Sequence, residues 1–188
     1  MAKTRCSWCG TDPIYVKYHD EQWGVPVYND KELFAKLILD GAQAGLSWIT
    51  ILKKQENYYK AFDGLDPEIM ATYGEDKIQE LLQNPGIVRN KLKVRAAITN
   101  AQAYLKLVEE KGSFSNYLWS FVDGKPIVNA RKSMADVPAT SPESDALSKD
   151  LKKRGFKFVG STIVYAFMQA VGMVNDHFVD CFRYEELR

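Results

Sequence analysis

The only two histidines of this 188-residue chain lie in "KYHDEQWG", residues 17–24, and "NDHFVDC", residues 175–181. Its three cysteines sit beside them, Cys6 and Cys9 ahead of His19 and Cys181 after His177. Imidazole and thiolate are the borderline-soft donors that suit zinc. If each end of the chain supplies two ligands, the fold must bring its termini together, and that requirement removes most ways of arranging the chain. His177 and Cys181 are four apart, the spacing that places both on one face of a helix. Cys6 and His19 supply a second pair, with Asp20 and Asp176 available to orient the ligands from behind. Cys6 and Cys9 themselves form a C-x-x-C, so five donors compete for four places and spacing does not exclude Cys9. Taken singly, each residue also reads as a buried cysteine or a surface histidine; the clustering favours a metal. Four cysteines for an iron–sulfur cluster are not present. A four-ligand site leaves no open position, so it would be a staple whose binding free energy is folding free energy.

Apolar residues make up 46 % of the chain and aromatics 12 %, which fits a globular fold large enough for one substantial domain or two small lobes sharing a core. We expect a single α-helical domain over residues 1–188, two closely packed lobes with a hairpin near residues 77–110. The apolar runs are too short to cross a bilayer, and "MAKTRCSWCG" lacks the apolar segment of a signal peptide. An odd cysteine count is a poor disulfide framework, so reduced thiols and a cytoplasmic location are expected. The net charge of +1 announces no nucleic-acid partner, although a local basic patch would suffice for one.

Helix signals dominate. Asp30 can cap a helix carrying Leu33, Phe34, Leu37 and Ile38 on one side. Ser47 can cap another in which Trp48, Leu52, Tyr59 and Phe62 share a face. Asp66 before Pro67 reads as an N-cap with proline in the first turn. "GEDKIQELLQ" is a short helix, "NPGIVRN" breaks it, and "KLKVRAAITNAQAYLKLVEEKG" is a long helix ending at Gly112. Residues 122–140 read as a long loop. Ser141 and Pro142 open a helix that ends near Gly155. "STIVYAFMQAVGMVND" is apolar nearly all round, as a buried central helix would be, and no partner strands are evident. The expected class is all-α, with nine or ten helices.

Two local patterns carry chemistry. In "LILDGAQAGLSW", Asp40 falls seven residues after Leu33 and three after Leu37, inside the apolar stripe. A carboxylate there is partnered, neutralised or lines a cavity, unless the helix ends at Gly41 and leaves it exposed. Trp8, Tyr15, Tyr18, Trp23 and Trp48 all lie within the first fifty residues. Such a cluster is often core, but flat aromatic faces beside a buried acid suit a nucleobase. In "LLQNPGIVRNKLKV", a helix, a tight turn at Gly86 and a second helix put backbone amides and Arg89, Lys91, Lys93 and Arg95 at one helix start, where anions are favoured. Such a hairpin can dock on a DNA phosphate backbone without reading sequence, or be an ordinary pair of helices with a solvated basic face. A second basic run holds Lys149, Lys152, Lys153, Arg154 and Lys157.

The stretches "DPIYVKYHDEQWGVP", "LILDGAQAGLSWITILKKQENY", "PGIVRNKLK", "LWSFV" and "SDALSKDLKKRGFKFVGSTIVYAFMQAVGMVNDH", flanked by Cys6 and Cys181, resemble the 3-methyladenine DNA glycosylase I family of bacterial base-excision repair. The resemblance covers about residues 6 to 181. It implies an all-α fold of the helix-hairpin-helix glycosylase superfamily and a structural zinc held by Cys6, His19, His177 and Cys181, with Cys9 left out. It implies phosphate binding by Gly86 and the following Ile87, Val88, Arg89 and Lys91, and places Leu46 near the gap left in the duplex. It implies that Trp48 and Tyr18 stack around the flipped base with Trp8, Tyr15 and Trp23 nearby. The implied activity is hydrolytic excision of 3-methyladenine from double-stranded alkylated DNA, by a monomer in the bacterial cytoplasm whose substrate lies in the nucleoid. The free base and an abasic site would be the products. The chain departs from the family at two points: Val88 stands where a second hairpin glycine is common, and Asp40 stands where the pocket acid is glutamate. Near Asn100 to Tyr104 there is no counterpart to the catalytic aspartate of broader-substrate relatives. Two rival readings share parts of this pattern, a non-catalytic DNA-binding module and an enzyme of free purines; release of base from alkylated DNA separates them.

Overall fold

Helices with apolar stripes must bury those stripes against one another, and here most meet in one core, with a smaller cluster of Cys6, Phe178 and Cys181 at the joined chain ends. The computed structural model describes residues 2–188 and is built of helices α1 (Pro13–Glu21), α2 (Asp30–Ala42), α3 (Trp48–Ala61), α4 (Pro67–Met70), α5 (Glu75–Gln83), α6 (Lys91–Lys111), α7 (Phe114–Trp119), α8 (Pro142–Lys153), α9 (Ser161–Ala170) and α10 (Phe182–Glu186). Helix α2 is central and packs on α3, α6, α7 and α9. Its Leu33, Phe34, Leu37 and Leu39 are buried with Ile51, Phe62, Leu107, Phe114, Leu147 and Phe167 in one continuous cluster. No helix among the described residues is long and apolar enough to cross a membrane.

The expected loop over residues 122–140 contains strand β1 (Ile127–Val128), which pairs in parallel with β2 (Val174–Asn175). The sequence reading found no partner strands because each strand is two residues long. The apolar stretch opening at Ser161 is helical only to Ala170. Gly172 turns it at φ +76°, and a Cβ there would lie 2.5 Å from the Pro26 nitrogen. The chain then enters β2, while Gly24 and Val27 donate their amides to the Ala170 and Val171 carbonyls. The segment before α2 is thereby tied to the end of α9.

Several caps differ from expectation. Asn29, not Asp30, caps α2 by accepting the Glu32 amide at 3.0 Å. The Asp30 carboxylate instead accepts the Ser115 amide at 2.8 Å, the Phe114 amide at 3.2 Å and the Ser113 hydroxyl at 3.1 Å, serving the start of α7 across the core. Ser47 occupies the N-cap position of α3, but its hydroxyl meets that of Thr50. On α3 it is Tyr58 that is buried, while Tyr59 is exposed. Asp66 caps α4 through the Glu68 amide, and Gly112 ends α6 at φ +82°.

Because Asp30 satisfies the first donors of a helix distant in sequence, Asp30→Ala is expected to lower unfolding free energy by about 1–2 kcal/mol. Asp30→Asn, which keeps an acceptor oxygen, should lose less. Urea unfolding of the three proteins measures both differences.

Candidate functional site

The two ends of the chain meet at four buried donors, one from each of Cys6, His19, His177 and Cys181, all within 4.8 Å of one another. Cys6 precedes a short 3-10 turn, His19 lies on α1, and His177 and Cys181 flank the turn between β2 and α10. The expectation that His177 and Cys181 share a helix face is therefore corrected: Cys181 is the N-cap of α10, and an extended turn rather than a helix brings the pair together.

The donor geometry fits a tetrahedral ion. Bonds of about 2.3 Å to sulfur and 2.0–2.1 Å to nitrogen at tetrahedral angles set each nitrogen–sulfur edge near ~3.6 Å. Here Cys6 Sγ and Cys181 Sγ are each 3.6 Å from His177 Nδ1, and Cys181 Sγ is 3.5 Å from His19 Nε2. The far ring nitrogens are occupied as metal-binding histidines require. His19 Nδ1 meets Asp20 at 2.8 Å, and His177 Nε2 meets the Trp23 carbonyl at 3.0 Å. Arg5 holds the Asp20 carboxyl down to about 2. Asp176 does not take the orienting role expected of it: its carboxylate is spent on Asn129, Arg131, Tyr165 and Gln169. Cys9 is buried outside the cluster and donates its thiol to the Cys6 carbonyl at 3.3 Å.

Beside this cluster opens a cavity of ≈ 280 Å³. Trp8, Tyr15, Tyr18, Trp23, Asp40 and Trp48 all line it. The rings lean on one another, Trp8 on Tyr15 at 5.0 Å and on Trp23 at 4.9 Å, and Tyr18 on Trp48 at 5.4 Å. Asp40 is only 2 % exposed, and α2 continues to Ala42, so the acid is not at a frayed helix end. Burial pushes its carboxyl up to about 6, opposed by the Lys36 ammonium 3.9 Å away. Four buried side-chain polar atoms lack a hydrogen-bond partner among the described residues. Three of them, Asp40 Oδ2, Trp8 Nε1 and Trp48 Nε1, belong to residues that line this cavity, although the atoms themselves are closed to solvent. Unpaired buried polar groups are costly, so their concentration in three residues around one cavity marks it as more than plain packing.

The wall also contains residues that the sequence reading missed. Gln169 was detectable as the polar residue in an otherwise apolar helix, and Asp176 as the neighbour of a histidine. Gln43 gave no distinctive signal, nor did Met134 and Val137, which come from the loop before α8.

The hairpin joins α5 to α6 through residues 84–90. Gly86 is not in the left-handed region; its lack of a side chain provides space, since a Cβ would lie 3.0 Å from Asn57 and from Asn84. Ile87 is buried, and the Val88 amide donates to Tyr58 Oη at 3.2 Å, so neither faces outward as a simple phosphate cradle. Of the four basic residues, Arg95 pairs with Glu75 and Lys93 donates to the Ala42 carbonyl at 2.8 Å and to that of Ala44. Arg89 and Lys91 are exposed and make no ion pair among the described residues. Leu46, 41 % exposed, stands on the loop that Lys93 grips. In the second basic run, Arg154 is taken by Asp150 and Glu110. Asn100 holds both the amide and the carbonyl of Lys157, so it is committed to packing.

The sequence matches the methyladenine glycosylase family model over residues 8–184. DNA-3-methyladenine glycosylase 1 of Escherichia coli (strain K12) is 50 % identical over 177 residues, 94 % of this chain and 95 % of the relative. Among solved structures, a crystal structure of 3-methyladenine DNA glycosylase I superposes with a TM-score of 0.93 at 51 % identity, covering 95 % of this chain and 98 % of the other. A variant of 3-methyladenine DNA glycosylase I in complex with 3-methyladenine superposes at 0.92 with 42 % identity, covering 95 % and 96 %.

Proposed function

The chain belongs to the methyladenine glycosylase family, and from that membership we propose how its own residues do the work. It is a hydrolase of base-excision repair that removes 3-methyladenine from DNA and leaves an abasic site. We assign the base to the aromatic cavity, with Tyr18 and Trp48 as stacking faces, Trp8, Tyr15 and Trp23 enclosing it, and Asp40 as acceptor for its edge. The observation that carries this reading is a buried carboxylate, Asp40, in the wall of a cavity that Trp8, Tyr15, Tyr18, Trp23 and Trp48 also line.

The chemistry asks little of the site. Methylation at N3 makes the adenine cationic, which weakens its bond to the sugar and makes it a good leaving group. A flipped nucleotide must be held, discriminated and exposed to water. Asp40 contributes a charge-assisted hydrogen bond and a negative charge that favours the cationic base and the positive charge developing on the sugar. Its side chain is one methylene shorter than glutamate, and a bound water or the base's own position spans the difference. No lysine takes part in a covalent step on this reading, and hydrolysis leaves the strand uncut.

We further propose that Cys6, His19, His177 and Cys181 hold a structural zinc. Two thiolates and two neutral imidazoles at tetrahedral spacing, each imidazole braced from behind, support this choice. The ion would supply no chemistry to the reaction; it would tie the chain ends behind the cavity. Duplex DNA would dock through the hairpin of the helix-hairpin-helix type, with Arg89 and Lys91 near phosphate and Leu46 filling the space left by the flipped base, while the amides of Gly86 and Val88 stay with Asn84 and Tyr58. Acting as a single-domain monomer in the bacterial cytoplasm completes the reading.

Asp40→Asn is expected to lower excision of 3-methyladenine about ten- to a hundredfold, the loss of roughly 1.5–3 kcal/mol from a charge-assisted bond. Duplex affinity and circular dichroism should change little; a folded variant with the wild-type rate would remove Asp40 from the site. Protonation removes the charged acceptor, so wild-type excision should fall as pH drops through about 6 and be flat above it, with this inflection missing in Asp40→Asn.

Elemental analysis should find about one zinc per chain. Cys9→Ser should retain it, while His177→Ala and Cys181→Ala should lose it together with thermal stability.

Arg89→Ala and Lys91→Ala should weaken binding to damaged and undamaged duplex alike, each lowering the salt slope of log K by roughly 0.9 if it removes one phosphate contact. Gly86→Asp tests the same element less cleanly, because its side chain would first press on Asn57 and Asn84.

A further inference from the structure

The cavity's acid has a resident cation. Lys36 lies one helical turn before Asp40 on α2, and its ammonium stands 3.9 Å from Asp40 Oδ1. The same ammonium donates to Tyr18 Oη at 3.0 Å and lies 3.4 Å from the centre of the Trp48 ring and 4.9 Å from that of Tyr18. Every group it touches lines the base cavity. Its side chain is only 16 % exposed, so these contacts hold an ammonium that is largely removed from water. An aromatic face and a carboxylate are the two partners that stabilise such a cation.

Oδ1 of Asp40 faces the ammonium, and neither carboxylate oxygen accepts a hydrogen bond among the described residues. The other groups around the acid offer no competing charge. Tyr18 from α1 is held neutral, its phenol pushed well above the ordinary range by burial and by Asp40. Gln43 and Gln169 are uncharged. Across the cavity, Asp176 is paired with Arg131, and Lys93 from α6 is turned to the carbonyls at the end of α2. Among the described residues, Lys36 is the one cation within ion-pairing distance of the acid.

We propose that Lys36 is a positioning residue for base recognition: held against Tyr18 and Trp48, its ammonium keeps the Asp40 carboxylate ionised inside the cavity, ready to accept from the base. This rests on the reading of Asp40 as the base's partner. Burial alone drives the Asp40 carboxyl toward its neutral form, and the neighbouring ammonium opposes that drive. The same burial lowers Lys36 to about 8, opposed in turn by Asp40, so the pair is charged on both sides between about 6 and about 8.

Lys36→Met removes the charge and keeps an unbranched side chain of similar length. The Asp40 carboxyl carbon, followed by NMR in the wild type and in Lys36→Met, should titrate at a higher pH in the variant. An unchanged titration would overturn the proposal. Excision should fall with the acid: below both inflections each unit of upward movement lowers it about tenfold, and well above them the deficit disappears. A deficit of one size at every pH would mean that Lys36 only packs against Tyr18 and Trp48, and would also overturn the proposal. Lys36→Arg, which keeps the charge, should titrate close to the wild type and serves if the methionine variant does not fold; titration like the methionine variant would exclude charge as the cause. The NMR measurement does not depend on catalysis, so full activity in Asp40→Asn would sink the base-recognition reading while leaving the ionisation result to stand or fall by itself.

Discussion

The closing of the two chain ends on one another is the constraint from which the rest follows. The four donors are separated by most of the sequence, yet their neighbours in the chain are the walls of the cavity. Trp8 lies two residues after Cys6, Tyr18 immediately before His19, and Asp176 and Phe178 on either side of His177. The contact is physical as well as sequential. The Trp23 ring lies 4.6 Å from that of His177, and Trp8 lies 5.3 Å from His19. Gly24 is part of the same fit, for a Cβ there would come within 2.9 Å of His177 Nε2 and disturb its bond to the Trp23 carbonyl. The donor cluster is thus the back plate of the cavity, and whatever holds the ends together also sets the spacing of the aromatic rings.

Helix α2 supplies the opposite contribution. It crosses the middle of the core, and its apolar residues are fixed by α3, α6, α7 and α9. A helix held on so many sides places Asp40 and Lys36 with little freedom, which is what a site relying on orientation and electrostatics needs. The substrate brings its own activation as a cationic leaving group, so a polar cavity whose second acid, Asp176, is already paired with Arg131 can serve where a less activated base would require a stronger catalyst.

Much of this was legible in the residues. The terminal histidines and cysteines marked the closure, and the position of Asp40 among leucines marked the cavity, because both break the ordinary pattern of a buried helix or a solvated end. The failures have physical reasons too. Asp30 sits where an N-cap belongs, but its carboxylate serves α7, more than eighty residues away, and no local rule sees a cap donated across the core. The four-residue spacing of His177 and Cys181 suggested a helix, whereas a turn after β2 produces the same approach. Arg95 and Lys93 looked available beside Arg89 and Lys91, but their partners, Glu75 and the α2 carbonyls, are brought to them only by folding. Met134 and Val137 reach the cavity on a loop with no periodicity to read.

Lys93 has a wider consequence. Its ammonium spans from the first turn of α6 to the carbonyls of Ala42 and Ala44, and Tyr58 joins α3 to the hairpin amide of Val88. The loop bearing Leu46 and the loop bearing Gly86 are therefore two jaws of one rigid caliper rather than independent fingers. If the hairpin rests on a duplex as proposed, these bonds set the offset between it and Leu46. On that proposal, neighbouring nucleotides would be inspected by shifting the whole body along the groove and not by flexing either loop in place.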